Sequence, residues 1–184
     1  MTTDEQGRDR RRPPRRTAIA VLLAGLILPT APSGCGSDQQ EVTVGHWQLH
    51  LSQEWKPVTP YGGKWTAGYE RDGVTLRIAG DLGDDTDANS VLTDFVFASS
   101  SKDNWQNGRR EDREIPNAYS SGIQRASYDE ADGSHVQAVW VAATQWPYPA
   151  SAALAFYGTS IDETLVQDVV DDARWISTTQ GSTG

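Results

Sequence analysis

Between His46 and Leu51, Trp47, Leu49 and Leu51 alternate with His46, Gln48 and His50, the period of two expected of a strand with one buried face. A loop through Trp55 and Pro57 follows. Trp65, Ala67 and Tyr69 then alternate on one strand and Val74, Leu76 and Ile78 on the next, with Arg71-Asp72-Gly73 as turn, so a β-hairpin is predicted. From Asn89 to Ser101 the period changes: Val91, Leu92, Phe95, Val96 and Ala98 share one helical face, and Asp87 or Asn89 stands where a cap is needed. A short polar strand at Arg113 to Ile115 and a longer one from Ser121 to Tyr128 come next. Asp132-Gly133 turns the chain into Val136 to Thr144, and Trp146-Pro147-Tyr148-Pro149 breaks it before Ala150 to Tyr157.

In those last two strands both alternating sets are apolar. Trp140 and Ala142 oppose Val139 and Val141, and Leu154 and Phe156 oppose Ala153 and Ala155, so both faces are expected to be covered. The final helix opens at Ser160-Ile161-Asp162-Glu163, which fits a capping box, turns Leu165, Val166, Val169, Val170 and Ala173 inward, and closes on Trp175. The expected fold class is α+β: a three-layer α/β/α sandwich, with a mainly antiparallel sheet of about six or seven strands and helices on both faces.

Upstream, a polar stretch holding Arg8, Arg10, Arg11, Arg12, Arg15 and Arg16 precedes an apolar run from Ala18 to Leu28. This is the charged and hydrophobic order of an export signal. The run is half the roughly 20 residues that cross a bilayer, so no permanent span is expected. Small residues then lead to Cys35, the chain's single cysteine, and Ser33-Gly34-Cys35 resembles the end of a bacterial lipobox, with Pro32 where that pattern has an aliphatic residue. Residues 1–34 thus read as a lipoprotein signal peptide, 35–41 as a lipidated polar tether and 178–184 as a flexible tail. Cleavage near Ala31 would instead leave Cys35 a free thiol on a secreted protein. Arg15-Arg16 leaves open whether export is by the general or the twin-arginine route.

Removing the leader takes away six Arg and three acidic residues, leaving 10 basic against 22 acidic ones. A domain so acidic repels phosphate backbones, which excludes nucleic acid as a partner. With one cysteine the chain forms no internal disulfide, so burial alone must hold the fold.

Candidate chemistry is sparse. Gly158-Thr159-Ser160-Ile161-Asp162 has the place of a nucleophile elbow but Asp162 where Gly is needed, which leaves a Ser hydrolase as a remote alternative. Asp85-x-Asp87-x-Asn89 begins like a calcium loop but has Ser90 and Val96 where that loop needs Gly and Glu. His46 and His50 lie about 13 Å apart along a strand, too far to share an ion, and His135 has no evident partner. No catalytic group, metal or cofactor is expected. Seven tryptophans are the unusual count. Trp47, Trp65 and Trp140 fall on apolar strand faces, whereas Trp55, Trp105 and Trp146, with Tyr61 and Tyr148, fall in loops or at element ends and form a candidate partner or ligand face.

The order of elements, with the Pro/Trp loop, the Ile115-Pro116-Asn117-Ala118 segment and a terminal helix ending near Ser177, resembles the PsbP-like fold shared by actinobacterial lipoproteins of the LpqN type. The resemblance covers the domain read at 42–177 and implies a non-enzymatic accessory or binding protein. The expected function is a lipid-anchored module on the outer face of the cell membrane, engaging an envelope or secreted protein. The alternative is a module for a cell-wall glycan or a small hydrophobic ligand.

Overall fold

The computed structural model describes residues 39–177. The leader, Cys35 and the tail from 178 lie outside them. Along the described chain run β1 (Gln39–Val44), β2 (Trp47–Ser52), β3 (Lys56–Val58), β4 (Ala67–Arg71), β5 (Val74–Gly83), α1 (Ala88–Ser99), β6 (Asp103–Asp112), β7 (Ser120–Asp129), β8 (His135–Gln145), β9 (Ala150–Gly158), α2 (Glu163–Asp171) and β10 (Arg174–Trp175). Seven strands form one antiparallel sheet in the order β3-β4-β5-β9-β8-β7-β6, and β1, β2 and β10 form a second in the order β1-β2-β10.

The doubly apolar β8 and β9 are covered on both faces, as their composition requires. On one face Ala138, Trp140, Ala142, Ala153 and Ala155 meet Val91, Leu92 and Phe95 of α1. The floor is small so that a helix lies close to it, and Trp140 fills the space the alanines leave. On the other face Val139, Val141, Leu154 and Phe156 meet Leu49 and Leu51 of β2 and Leu165, Val166 and Val169 of α2. The α+β sandwich with a helix on each face therefore stands, and its third layer combines α2 with the small sheet.

Four boundaries depart from the sequence reading. β1 starts at Gln39, inside the stretch read as tether, because only Val42 of its six residues is buried and polar residues hide the alternation. β6 occupies 103–112 where only a short strand at Arg113 to Ile115 is predicted. It is an edge strand exposed along nearly its whole length, so it shows no apolar period. α2 stops at Asp171, and Trp175 leaves the helix to pair with Trp47 in β10. The α2 cap is Asp162, whose side chain accepts from the Thr164 N–H at 2.9 Å, so Ser160 stands two residues outside the cap. For α1 the expected Asp87 is the cap and accepts from Asn89 N–H at 3.0 Å.

The small sheet crosses β5 at a pair of glycines. Gly45 has φ +56°, a Cβ on it would lie 2.2 Å from the Gly80 carbonyl oxygen, and a Cβ on Gly80 would lie 2.7 Å from that of Val44. His46 N–H closes the crossing by donating to Gly80 O at 2.9 Å. At its other end β1 pairs Gln39 with Ser52, whose hydroxyl accepts from Arg71 Nη1 at 3.1 Å beside the β4–β5 turn. β1 therefore begins at the β4–β5 turn and runs toward the opposite end of the large sheet.

Candidate functional site

The end of the large sheet remote from the β4–β5 turn carries exposed aromatic rings. β8 and β9 pair without interruption to Gln145 and Ala150, so the four residues between them project from a rigid base. Trp146 is 53% and Tyr148 83% exposed, and the Trp146–Pro147 peptide is cis. Tyr119, 64% exposed, joins them because its N–H donates to Thr144 O at 2.9 Å. Thr144 Oγ1 donates to Thr86 O at 3.0 Å and Ser151 Oγ to Gly83 O at 3.2 Å, which ties this end to the loop before α1. Tyr119 leaves no mark in the sequence, because it follows the Pro116 turn with no pattern around it; only its proximity to β8 reveals it.

The other members of the predicted face disperse. Trp55 is 2% exposed and packs edge-on against Phe156 at 6.5 Å, with Gln40 Nε2 donating to its carbonyl. It is core: Glu54 and Lys56 on either side are exposed while the indole turns in. Trp105 lies in β6, half-buried, stacked on Trp140 at 6.2 Å and Tyr128 at 6.0 Å. Tyr61 is 81% exposed but belongs to the β3–β4 connection, where its carbonyl accepts from Arg77 Nη1 at 3.4 Å. The expected five-residue face thus reduces to Trp146 and Tyr148, completed by Tyr119.

Beneath α1, Trp65, Phe95, Trp140, Trp105 and Tyr128 form a continuous stack with centroid spacings of 5.6, 5.9, 6.2 and 6.0 Å. Trp140 Nε1 donates to the Tyr157 hydroxyl at 3.1 Å. Burial pushes the Tyr128 phenol up to about 12 and raises Tyr157 as well, so both remain neutral hydrogen-bonding groups.

Around α2 the surface is charged. Cavities of about 360 and 460 Å³ flank Arg71 and share Asp168. The first also touches His50, Asp171 and Asp172, the second Ser160 and Asp162. Arg71 is already engaged by Glu54 and Asp72. Across the sheet Arg125 binds Glu163 and Glu111, and the hydrogen bond from Arg125 holds the Glu163 carboxyl below its ordinary range. Ser160 makes no side-chain hydrogen bond among the described residues. His46 stacks on Trp175 at 4.4 Å, and His135, which the sequence left without a partner, meets Asp129 at 2.9 Å. Among the described residues no group of three or more His, Cys, Asp or Glu is arranged to hold a metal, and no helix is long and apolar enough to cross a membrane.

Fold and surface together define a three-layer α+β domain that presents aromatic rings at one end of its large sheet. The crystal structure of LpqN, described as involved in cell envelope biogenesis of Mycobacterium tuberculosis, shares the fold: TM-score 0.51, 14% identity, over 77% of this chain and 93% of that one. No protein-family model and no curated protein sequence matches this chain.

Proposed function

We propose that this chain is a bacterial envelope lipoprotein, tethered to the outer face of the membrane through Cys35, whose domain is a non-enzymatic accessory module binding another envelope or secreted protein. The carrying observation is the aromatic end: Trp146, Tyr148 and Tyr119 stand exposed together on a rigid strand base. Such rings give large contact area for few rotatable bonds, and Pro147 and Pro149 restrict the loop before contact, which lowers the entropy lost on binding. The LpqN-like fold supports an envelope role, and the export pattern ahead of Cys35 supports the address. The cavities beside Arg71 have charged linings, which suit a polar guest better than a small hydrophobic one.

Two experiments test this reading. In cells, Trp146→Ala/Tyr148→Ala in the full chain is expected to abolish envelope cross-links, a loss of about 2 kcal/mol or more of binding if both rings are central to the contact. Its thermal stability should shift by no more than about 1 kcal/mol, because the rings are exposed. Unchanged cross-links would remove the aromatic end from the interface. Separately, labelled palmitate is expected to be incorporated into the full chain and not into Cys35→Ala; no label in the unmodified chain, or equal label in both, would refute the anchor.

A further inference from the structure

Most described arginines meet a carboxylate: Arg71, Arg109, Arg113 and Arg125 all do. Arg110 is met instead by Gln124, Asn89 O and Thr93, Arg174 is exposed, and Arg77 on β5 meets no carboxylate among the described residues. Its guanidinium lies 4.7 Å from the Tyr157 ring centroid, its Nη1 donates to Tyr61 O at 3.4 Å, and its Nε is buried without a partner. Nη2 has no protein acceptor among the described residues and is open to solvent. The cation is thus fixed in place without an ion pair, and its solvent-facing Nη2 is the donor a ligand can reach.

A second cation shares this surface. Lys64 Nζ lies 3.9 Å from the Phe95 centroid and 5.4 Å from that of Trp65, also without an ion pair among the described residues. Burial lowers its pKa, and Asp94 opposes that shift from a distance. Phe95 stacks on Trp140, and Trp140 donates to Tyr157, so Lys64 and Arg77 lie at the two ends of one buried aromatic run on the α1 side of the sheet, Lys64 over Phe95 and Arg77 over Tyr157. Trp140 occupies one acceptor site of the Tyr157 hydroxyl and leaves the hydroxyl proton to donate. The nearby carboxylate whose field reaches Tyr157 and Tyr128 is Glu130, which Lys102 already holds. Gly68 permits the arrangement: a Cβ there would lie 3.0 Å from Val58 O and 3.4 Å from the Pro60 Cα, so its absence lets the connection carrying Tyr61 and Lys64 fold over the sheet.

We propose that Arg77, laid on the Tyr157 ring, binds the oxyanion group, carboxylate or phosphate, of a small ligand, with exposed Tyr61 at the rim and Lys64 adding positive charge on the same side of the sheet. Guanidinium donors suit such groups, and the aromatic bed fixes the cation before the ligand arrives. The excess of acidic residues over the rest of the domain repels polyanions, which restricts the site to a ligand carrying a single anionic group.

The test uses tryptophan fluorescence of the full chain, since Trp65 and Trp140 border the site. Inorganic phosphate and glucuronate, with glucose as the uncharged control, probe free anions; monomeric short-chain phosphatidylglycerol against monomeric short-chain phosphatidylcholine probes a lipid headgroup. At least one anionic probe is expected to bind and its neutral counterpart not, with affinity falling in high salt and by about tenfold or more in Arg77→Met. Which anionic probe binds identifies the source. No response to any anion, or equal binding by Arg77→Met, overturns the proposal. If Arg77→Met does not fold, Lys64→Met and the NMR signal of the Arg77 Nε–H in the unmodified chain decide instead: anion must shift that signal and bind more weakly to Lys64→Met, and failure of either is a refutation. Because the site lies apart from the β8–β9 loop, Trp146→Ala/Tyr148→Ala should bind anions normally, so this proposal and the partner reading succeed or fail separately.

Discussion

Trp140→Ala is expected to cost about 3–5 kcal/mol, a large part of the roughly 5–15 kcal/mol that holds a domain together. Trp140 is fully buried at the middle of the stack, with Phe95 on one side and Trp105 on the other. The alanines around it cannot move in to refill the space, because they lie on paired strands whose spacing is fixed by hydrogen bonds. Losing the indole also leaves the Tyr157 hydroxyl without its donor. Chemical denaturation read by far-UV circular dichroism measures the cost; a loss below about 1 kcal/mol would mean that the layer under α1 repacks freely.

Gly45→Ala is expected to destabilise the domain by about 3 kcal/mol or more, a backbone strain and an overpacking penalty acting together. The positive φ disfavours any side chain, and the atom the new methyl meets is the carbonyl of Gly80 in a central strand, which cannot retreat. Disruption should be local first. The crossing holds the small sheet on the large one, so hydrogen exchange ought to accelerate in β1, β2 and β10 before it does in β8 and β9. Uniform acceleration across both sheets would show that the crossing is not a separate point of attachment.

The parts legible in the sequence are those where burial imposes a period. β8 and β9 declared themselves by apolar residues on both faces, and α1 by its inward stripe of Val91, Leu92 and Phe95. Elements that bury little left no such mark: β6 displays its polar side chains to solvent, and β1 buries one residue in six. Trp175 reads as the end of the helix because a helical period and a following strand both turn an indole inward, and only the pairing with Trp47 distinguishes them. The aromatic face was half legible for a related reason. Composition says that a loop tryptophan exists, but whether it turns in, like Trp55, or out, like Trp146, depends on strands distant in the chain. Arg77 gave no signal, since an arginine facing solvent and one laid on a tyrosine alternate identically along β5.

The course of β1 gives the domain a polarity. Any chain preceding Gln39 joins it beside Ser52, Arg71 and the β4–β5 turn, whereas Trp146, Tyr148 and Tyr119 cap the far end, beyond Gly83. The ten residues of β5 measure the distance between these poles, about 30 Å at the usual rise of a strand. Under the proposed anchoring at Cys35, the sheet acts as a rigid stalk, fixed at one end and armed at the other. Were the domain to stand upright on that anchor, a partner on the side away from the membrane would meet the aromatic tip first, and one in the bilayer the carboxylates of α2.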